Sequence, residues 1–137
     1  MFKQLGKVTL LSMFAIGRLY GGFIPTTVVD NLMWEDSANA TTTKYTYVNA
    51  ENYCKNLTLD SHNDWRVPTI KELFTIVDYT KRRPAIINDF VNTDKSGDYW
   101  SNTSMLVKDV KKDEKENWVV SFYKGRVTSE KLTKDIY

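Results

Sequence analysis

The chain has one cysteine, Cys54, and one histidine, His62. Any thiol chemistry would have to use these two residues. A cysteine becomes a nucleophile when a neighbouring base or cation lowers its pKa, and His62 is the one imidazole available for that task. The spacing of Ala50, Tyr53, Cys54 and Leu57 puts the cysteine on one face of a predicted helix, which favours burial as a small apolar residue. Pairing of Cys54 with a partner outside the chain is the alternative. We expect no catalytic residue and no enzyme activity.

Asp60, Asn63 and Asp64 have side-chain oxygens of the kind that bind calcium. Their spacing lacks the glycine and the closing glutamate of an EF-hand loop. A turn in which these side chains bond the backbone is the favoured interpretation. Zinc needs several His or Cys ligands, and the chain has one of each. We therefore predict no metal and no cofactor.

Two groups of cationic residues have the chemistry to meet a sulfated or phosphorylated polymer. The ligand-binding residues predicted from them are Arg82, Arg83, Lys108, Lys111 and Lys112. The alternative is a solvated surface, and the mixed charges of residues 108–116 favour a connecting loop there. Lys plus Arg is 19 and Asp plus Glu is 17, so the net charge of +2 is too small to indicate a nucleic-acid partner.

The N-terminus has the features of an export signal. Lys3 and Lys7 precede a short apolar run at residues 8–17, which contains the small residues Ala15 and Gly17 near its end. The run is shorter than the roughly 18 apolar residues that span a bilayer, so no transmembrane span is expected in the mature chain. We predict a signal peptide at 1–17, a short linker at 18–24 and one domain at 25–137. A helix or strand that packs on the domain is the alternative for the N-terminus.

The elements of the domain follow from local patterns. Residues 25–30 and 32–34 predict a strand or a strand pair that enters the domain. A first helix is predicted from about 49 to 57, with Asn49 as its N-cap. Residues 59–63 form a polar connection between this helix and the next segment.

A second helix is predicted immediately after Pro68. Thr69 and Glu72 have the spacing of a capping box, in which each side chain bonds the backbone N–H of the other residue. The helix should end before residues 81–84, because proline disfavours helix at the preceding residue. Its apolar stripe consists of Ile70, Leu73, Phe74 and Val77.

The C-terminal half has the alternation of antiparallel strands. One strand is predicted at 99–104 and another at 118–123, where Trp118, Val120 and Phe122 share a face. Lys124 and Gly125 form a turn signal, and residues 126–128 return as the partner strand. We therefore expect a β-hairpin at the end of the domain.

The order of several motifs gives the chain a family resemblance. These are DNLMW at 30–34, the helix of Cys54, DWRVPT with EL at 64–73, YWSNT at 99–103, and WVVSF with Gly125 from 118 onward. In this succession the chain resembles the bacterial Lcl C-terminal-domain family over residues 25–137. The resemblance implies an α+β fold of C-type-lectin-like type, with two helices packed on a small irregular antiparallel sheet. That fold is related to the fold of formylglycine-generating enzymes, whose chemistry depends on paired cysteines that this chain lacks.

The resemblance also assigns structural roles and marks departures. Family members commonly close with a strand whose cysteine would pair with Cys54, and this chain stops at Tyr137, so we expect a missing final strand and an unpaired cysteine. The first turn, between Asp30 and Leu32, is shorter than usual. Scaffold roles are expected for Cys54, Trp65, Arg66, Pro68, Thr69, Glu72, Trp100 and Trp118.

The functional expectation follows from the resemblance and from the lack of a catalytic constellation. We expect an exported, non-catalytic binding or adhesion module, located in the periplasm or at the cell surface, that recognises a glycan or a protein partner at the bacterial envelope. The alternative is a structural subunit of a periplasmic or surface assembly, in which a neighbour completes an exposed strand edge.

Overall fold

A computed structural model describes residues 3–4, 26–38, 42–92, 96–106 and 115–137 of the chain. Within them, two helices and two small antiparallel sheets form a mixed α+β domain. This confirms the α+β class expected from the sequence. No helix in this part of the chain has the length and apolar character needed to cross a membrane.

The first sheet is built on the hairpin of β2 (Thr26–Val29) and β3 (Leu32–Glu35). Its loop is only two residues long, and Asp30 and Asn31 have φ angles of +50° and +62°. Asp and Asn tolerate this left-handed conformation, which matches the twist of the two strands. The predicted strand pair is confirmed.

Strand β1 (Lys3–Gln4) lies between β3 and β4 (Trp65–Arg66) in the same sheet. Its residue Lys3 is opposite Trp34 on one side and opposite Arg66 on the other. The alternative to a signal peptide is an N-terminal helix or strand that packs on the domain. A strand in this position is consistent with that alternative. The rest of residues 1–25 lies outside the described residues, so the signal peptide stays a prediction.

Helix α1 (Tyr47–Asn56) begins earlier than the sequence pattern indicates. Its N-cap is Thr46, whose hydroxyl accepts a hydrogen bond from the backbone N–H of Asn49 at 3.4 Å. The predicted N-cap at Asn49 is therefore wrong, because Thr46 supplies the capping oxygen one turn earlier. Ala50 and Cys54 are the residues of this helix that face the core.

Helix α2 (Ile70–Thr75) has the predicted capping box. The Thr69 hydroxyl accepts from the Glu72 N–H at 3.2 Å, and Glu72 Oε2 accepts from the Thr69 N–H at 2.8 Å. The helix is shorter than the predicted stripe, and Phe74 is 37% exposed while Ile76 is fully buried. The helix ends early because a turn follows it. In this turn, Asp78 Oδ1 accepts hydrogen bonds from the N–H and the hydroxyl of Thr80.

The second sheet contains β5 (Asp98–Ser104), β6 (Glu116–Ser121) and β7 (Arg126–Lys131), in that order. The predicted C-terminal hairpin is confirmed, with Val120 opposite Val127. Strand β6 is buried on both of its faces, since Val119 and Val120 are both inaccessible to solvent. Trp118 is only half-buried, whereas Val120 and Phe122, which are predicted to share its face, are buried.

Two clusters of buried residues form the core. One joins α2 to the second sheet and contains Trp34, Leu73, Ile76, Val77, Ala85, Ile86, Phe90, Tyr99, Val120 and Phe122. The other joins α1 to both sheets and contains Met33, Ala50, Cys54, Trp65, Val67, Trp100, Val119 and Ile136. Neighbouring strand residues such as Val119 and Val120 belong to different clusters, so the sheet separates the two cores.

Candidate functional site

A cationic pocket of about 300 Å³ is the site that contains residues predicted to bind a ligand. Four of the described residues line it, and we call this group the cationic pocket: Arg82, Arg83, Tyr123 and Lys124. Two of them come from the loop that follows α2, and two come from the turn between β6 and β7. The pocket therefore depends on the contact between these two connections.

The two connections are held together by their backbones. The Ala85 N–H donates to the Phe122 carbonyl oxygen at 2.7 Å, and both residues are buried. Gly125 has a φ of +61°, and a Cβ atom added to it would lie 2.9 Å from the Ala85 Cβ. Glycine is thus required here both by the backbone conformation and by the close approach of the loop. This packing fixes the two halves of the pocket relative to each other.

Arg83 lies over the ring of Tyr123, with its guanidinium carbon 5.4 Å from the ring centroid. A cation at this distance from an aromatic face is attracted by the ring quadrupole. Arg83 also has a φ of +52°, which is uncommon for a residue other than glycine, and it precedes a cis peptide bond to Pro84. The stacked contact places the arginine at the pocket and leaves Tyr123 38% exposed.

Lys81 is the neighbour of the pocket arginines, but its contacts lie elsewhere. Its Nζ atom is 2.9 Å from Asp78 Oδ2 and 2.8 Å from Asn88 Oδ1. The hydrogen bond from Thr80, followed by the one from Lys81, lowers the pKa of Asp78 to about 2. Lys81 therefore braces its own loop, and the charge of the pocket comes from other residues.

The pocket cations differ from Lys81 in their partners. Within the described ranges, no carboxylate lies at ion-pair distance from Arg82, Arg83 or Lys124. Guanidinium and ammonium groups bind sulfate, phosphate and carboxylate oxygens by charge-assisted hydrogen bonds. The arrangement is suited to an anionic group at the surface. The predicted ligand residues Lys108, Lys111 and Lys112 lie outside the described residues.

The side chains of residues 64–73, together with Trp100, make contacts that stabilise the fold. Arg66 Nη2 is 2.8 Å from Glu72 Oε1, and Arg66 Nη1 donates to the Val67 carbonyl oxygen at 3.1 Å. The indole N–H of Trp65 donates to the His62 carbonyl oxygen at 3.1 Å. Trp100 makes a similar bond to the Tyr45 carbonyl oxygen at 2.9 Å. The contacts of Trp65, Arg66, Glu72 and Trp100 are those of side chains that tie loops to strands.

Cys54 is a free thiol that is 1% exposed. Burial, with a smaller contribution from the charge of Glu35, raises the pKa of Cys54 to about 12. A nucleophilic thiol requires a shift in the opposite direction. Nearby Tyr47 also has a raised pKa, first because of burial and then because its hydroxyl bonds Glu51. This environment stabilises neutral groups and fits the expected packing role of Cys54.

The three oxygen-bearing residues considered for calcium lie around a tight turn. Asp60 and Ser61 have φ angles of +52° and +62°, and Leu59 and His62 bond each other's backbone across them. Asp60 Oδ2 accepts a hydrogen bond from the Thr26 hydroxyl at 3.4 Å. In the part of the chain that the structure describes, no group of three or more His, Cys, Asp or Glu side chains could hold a metal ion.

The sequence did not indicate that some of these residues belong to a site. Tyr123 and Lys124 are about 40 positions away from the arginines with which they form the pocket. Two carboxylates, Glu35 and Asp36, are each 1% exposed. Asp36 accepts hydrogen bonds from the backbone N–H groups of Val91 and Asn92 at 2.8 and 2.9 Å. Only the fold brings these groups together, since neither pairing has a characteristic spacing.

These features define an α+β domain with a cationic surface pocket. By its sequence, the chain belongs to the Lcl C-terminal domain family, whose model matches residues 26–137. The family membership expected from the motifs is confirmed. No curated protein and no solved structure matches the chain.

Proposed function

We propose that this protein is an exported, non-catalytic binding module that engages an anionic group of a glycan or protein partner through the cationic pocket. Its place would be the periplasm or the cell surface of a bacterium. Export is suggested by the positive and apolar pattern of residues 1–17. In this proposal the domain presents a surface for adhesion and performs no reaction.

One observation carries the proposal. Arg82, Arg83 and Lys124 line one pocket together with the exposed Tyr123, and no carboxylate of the described residues lies at ion-pair distance from them. Three cations that converge without counter-charges favour an anion, and the aromatic ring offers an apolar contact beside it. The binding groups come from two connections that are pinned by the Ala85–Phe122 hydrogen bond, so the site is preorganised.

We also propose that the fold is of C-type-lectin-like type. The support is the family membership, together with two helices and two small antiparallel sheets in the described residues. In such a fold the binding groups would lie on connections, while the sheets and helices hold them in place. The cationic pocket has this arrangement, since both of its halves are loops or turns.

Binding to a sulfated polysaccharide tests the proposal. Heparin is immobilised, and the retention of the full chain is compared with that of the R82A/R83A variant over a range of salt concentrations. The matched control is K71A/K131A, which removes two exposed cations away from the pocket. Both variants have the same net charge, so the comparison separates a site from a general effect of charge.

The proposal expects R82A/R83A to elute at clearly lower salt than the control. A phosphorylated or carboxylated polymer used in place of heparin would then rank the anionic groups. Equal elution of the two variants would mean that the attraction is spread over the surface, and the pocket would lose its assigned role. Absence of retention for the original chain on all three polymers would overturn the proposal.

A structural role in an envelope assembly is the second candidate. It is favoured by strand β7, which lies at one end of the order of the second sheet, with Val127, Thr128, Ser129 and Glu130 half-buried. A neighbouring subunit could add a strand at such an edge. Light scattering measures the mass in solution, and V127P would remove a backbone donor from β7. A mass of one chain at high concentration, unchanged by V127P, would argue against self-assembly through this edge.

Export has its own test. N-terminal sequencing of the protein from bacterial fractions would show whether the chain begins after residue 17. A chain in the envelope fraction that still begins at Met1 would remove the signal peptide. In that case strand β1 would remain available to pair with β3 and β4.

A further inference from the structure

A groove of about 720 Å³ runs along one side of helix α1, away from the cationic pocket residues. The groove is shallow and open to solvent, so a ligand would lie along it with one side exposed. The residues of this helix groove that carry the argument are Tyr45, Asn49, Asn52, Tyr53, Asn56 and Thr58.

None of the described residues that line the helix groove is charged, although charged residues are 26% of the chain. The charged residues of the same helix, Glu51 and Lys55, border a separate small pocket that Cys54 also lines. Helix α1 therefore has one uncharged polar side and one charged side. On the first side, these residues offer no counter-charge to an ionic ligand.

Three asparagines follow the groove at helical spacing. Asn49, Asn52 and Asn56 are exposed and lie three and four positions apart, which places them on one face of the helix. The Asn56 amide donates to the Asn52 carbonyl oxygen at 2.8 Å. Among the described residues, the side chains of Asn49 and Asn52 have no hydrogen-bond partner. Each of these amides provides donors beside an acceptor, a combination that matches two adjacent hydroxyl groups.

The groove also has an aromatic wall. The rings of Tyr45 and Tyr53 are stacked, with centroids 5.3 Å apart and planes inclined by 29°. The Tyr53 hydroxyl donates to Glu35 Oε1 at 2.9 Å, so its polar end is held by a buried carboxylate. The backbone of Tyr45 is anchored by two hydrogen bonds to Ile136. The two rings also pack against the buried cluster that contains Cys54, which with their mutual stacking restricts their motion and lowers the side-chain entropy that binding would cost.

We propose that the helix groove is a second binding site, which takes an uncharged sugar unit of a neutral polysaccharide. A pyranose has an apolar C–H face for the tyrosine pair and neighbouring hydroxyls for the amides of Asn49 and Asn52. Aromatic rings combined with a few convergent polar groups are the usual composition of such pockets. This site goes beyond the proposed function, because it needs no anion and does not use the cationic pocket.

Nuclear magnetic resonance titration of the isotope-labelled full chain tests the site. The probes are methyl glycosides of glucose, mannose, galactose and N-acetylglucosamine, together with the neutral polysaccharides dextran and mannan. The N49A/N52A variant removes the two amides from exposed helical positions where alanine favours the helix. K55A is the matched control, since it changes an exposed residue on the charged side of the same helix.

The inference expects at least one probe to shift the amide signals of residues 45–58 in a saturable way. N49A/N52A should weaken that binding about tenfold or more through lost hydrogen bonds, while K55A leaves it unchanged. Binding should also persist in 0.5 M salt and in the R82A/R83A variant. These two conditions distinguish binding at the helix groove from anion binding at the cationic pocket. No shift with any probe, shifts that map to residues 82–83 and 123–124, or equal binding by N49A/N52A would overturn the inference.

Discussion

Arg66 and Glu72 form an ion pair of 2.8 Å that joins strand β4 to the first turn of helix α2. The same carboxylate accepts the backbone N–H of Thr69 at 2.8 Å through its second oxygen. Glu72 is therefore both half of a capping box and the partner of a cation from a neighbouring strand. Both side chains are partly shielded, with 25% and 20% exposure, so solvent screens the pair less than a surface pair.

Replacing Thr69 by alanine should lower the free energy of unfolding by about 1 kcal/mol, because the first turn loses its cap. Glu72→Ala should cost more than Thr69→Ala, since it also leaves Arg66 without its carboxylate partner. Urea denaturation of the purified variants measures both changes. A smaller loss for Glu72→Ala than for Thr69→Ala would contradict this order.

A double-mutant cycle isolates the contribution of the pair. The variants are Arg66→Ala, Glu72→Ala and their combination, and a favourable coupling of about 1 kcal/mol is expected for a partly shielded, charge-assisted bond. Lys71→Ala serves as the control, because Lys71 is an exposed residue of the same helix. Additive losses for Arg66→Ala and Glu72→Ala would contradict the coupling.

Local patterns predicted the parts of the fold that local chemistry controls. The capping box at Thr69 and Glu72 requires only two side chains at a fixed spacing, and it appears as expected. The two-residue turn at Asp30 and Asn31 likewise depends on residues that tolerate a positive φ. The end of α2 was harder to predict, because the turn at Asp78 and Thr80 competes with further helix.

Features that depend on packing at a distance were less predictable. The alternating pattern of β6 indicates one buried face, yet the two core clusters bury both Val119 and Val120. Half of the cationic pocket was predictable, since Arg82 and Arg83 are adjacent in the sequence. Tyr123 and Lys124 join them only because the Ala85–Phe122 bond brings two connections together. No spacing rule encodes that contact.

The junction behind the cationic pocket should be sensitive at Gly125. Gly125→Ala places a Cβ 2.9 Å from the Ala85 Cβ at a φ of +61°, so we expect a loss of about 1–3 kcal/mol in the free energy of unfolding. Retention on heparin should fall as well if the two halves of the pocket shift. Thermal unfolding and heparin elution provide the two measurements.

A second substitution separates the two causes of that loss. Ala85→Gly removes the atom that would clash but leaves the backbone conformation of residue 125 unchanged. The combination of Gly125→Ala with Ala85→Gly should therefore be less destabilised than the sum of the single variants. Strict additivity would mean that the positive φ alone accounts for the effect of Gly125→Ala.

Asp36 is expected to be a major determinant of stability. Its carboxylate accepts the N–H groups of Val91 and Asn92, and it is 1% exposed. Asp36→Asn turns an amide group toward one of these donors and should cost about 1–3 kcal/mol. Asp89→Asn, at an exposed position of the preceding loop, is the control and should change stability by less than about 0.5 kcal/mol. Equal urea midpoints for Asp36→Asn and Asp89→Asn would show that the buried bonds are dispensable.

The buried thiol of Cys54 should make stability depend on pH in the alkaline range. Burial raises its pKa from an ordinary value of 9.0 to about 12 in the folded protein. Well below pH 9 the thiol is protonated in both states, but as the pH rises through 9 the unfolded state releases the proton while the folded state retains it. The stability advantage of the original chain over Cys54→Ala should therefore be constant well below pH 9 and should fall above it, with a slope that approaches about 1.4 kcal/mol per pH unit.

Urea titrations of both proteins between pH 7 and 10.5 measure this difference. Tyr47 also has a raised pKa, but it is present in both proteins, so most of its contribution cancels in the comparison. Parallel stability curves for the two proteins above pH 9 would mean that the thiol ionises equally in both states. A thiol that reacted with a disulfide reagent at pH 8 without unfolding would contradict the burial of Cys54 from which the raised pKa follows. The predicted slope instead follows from a neutral thiol of α1 that is buried in the same cluster as the indole of Trp65, where its charged form is poorly solvated.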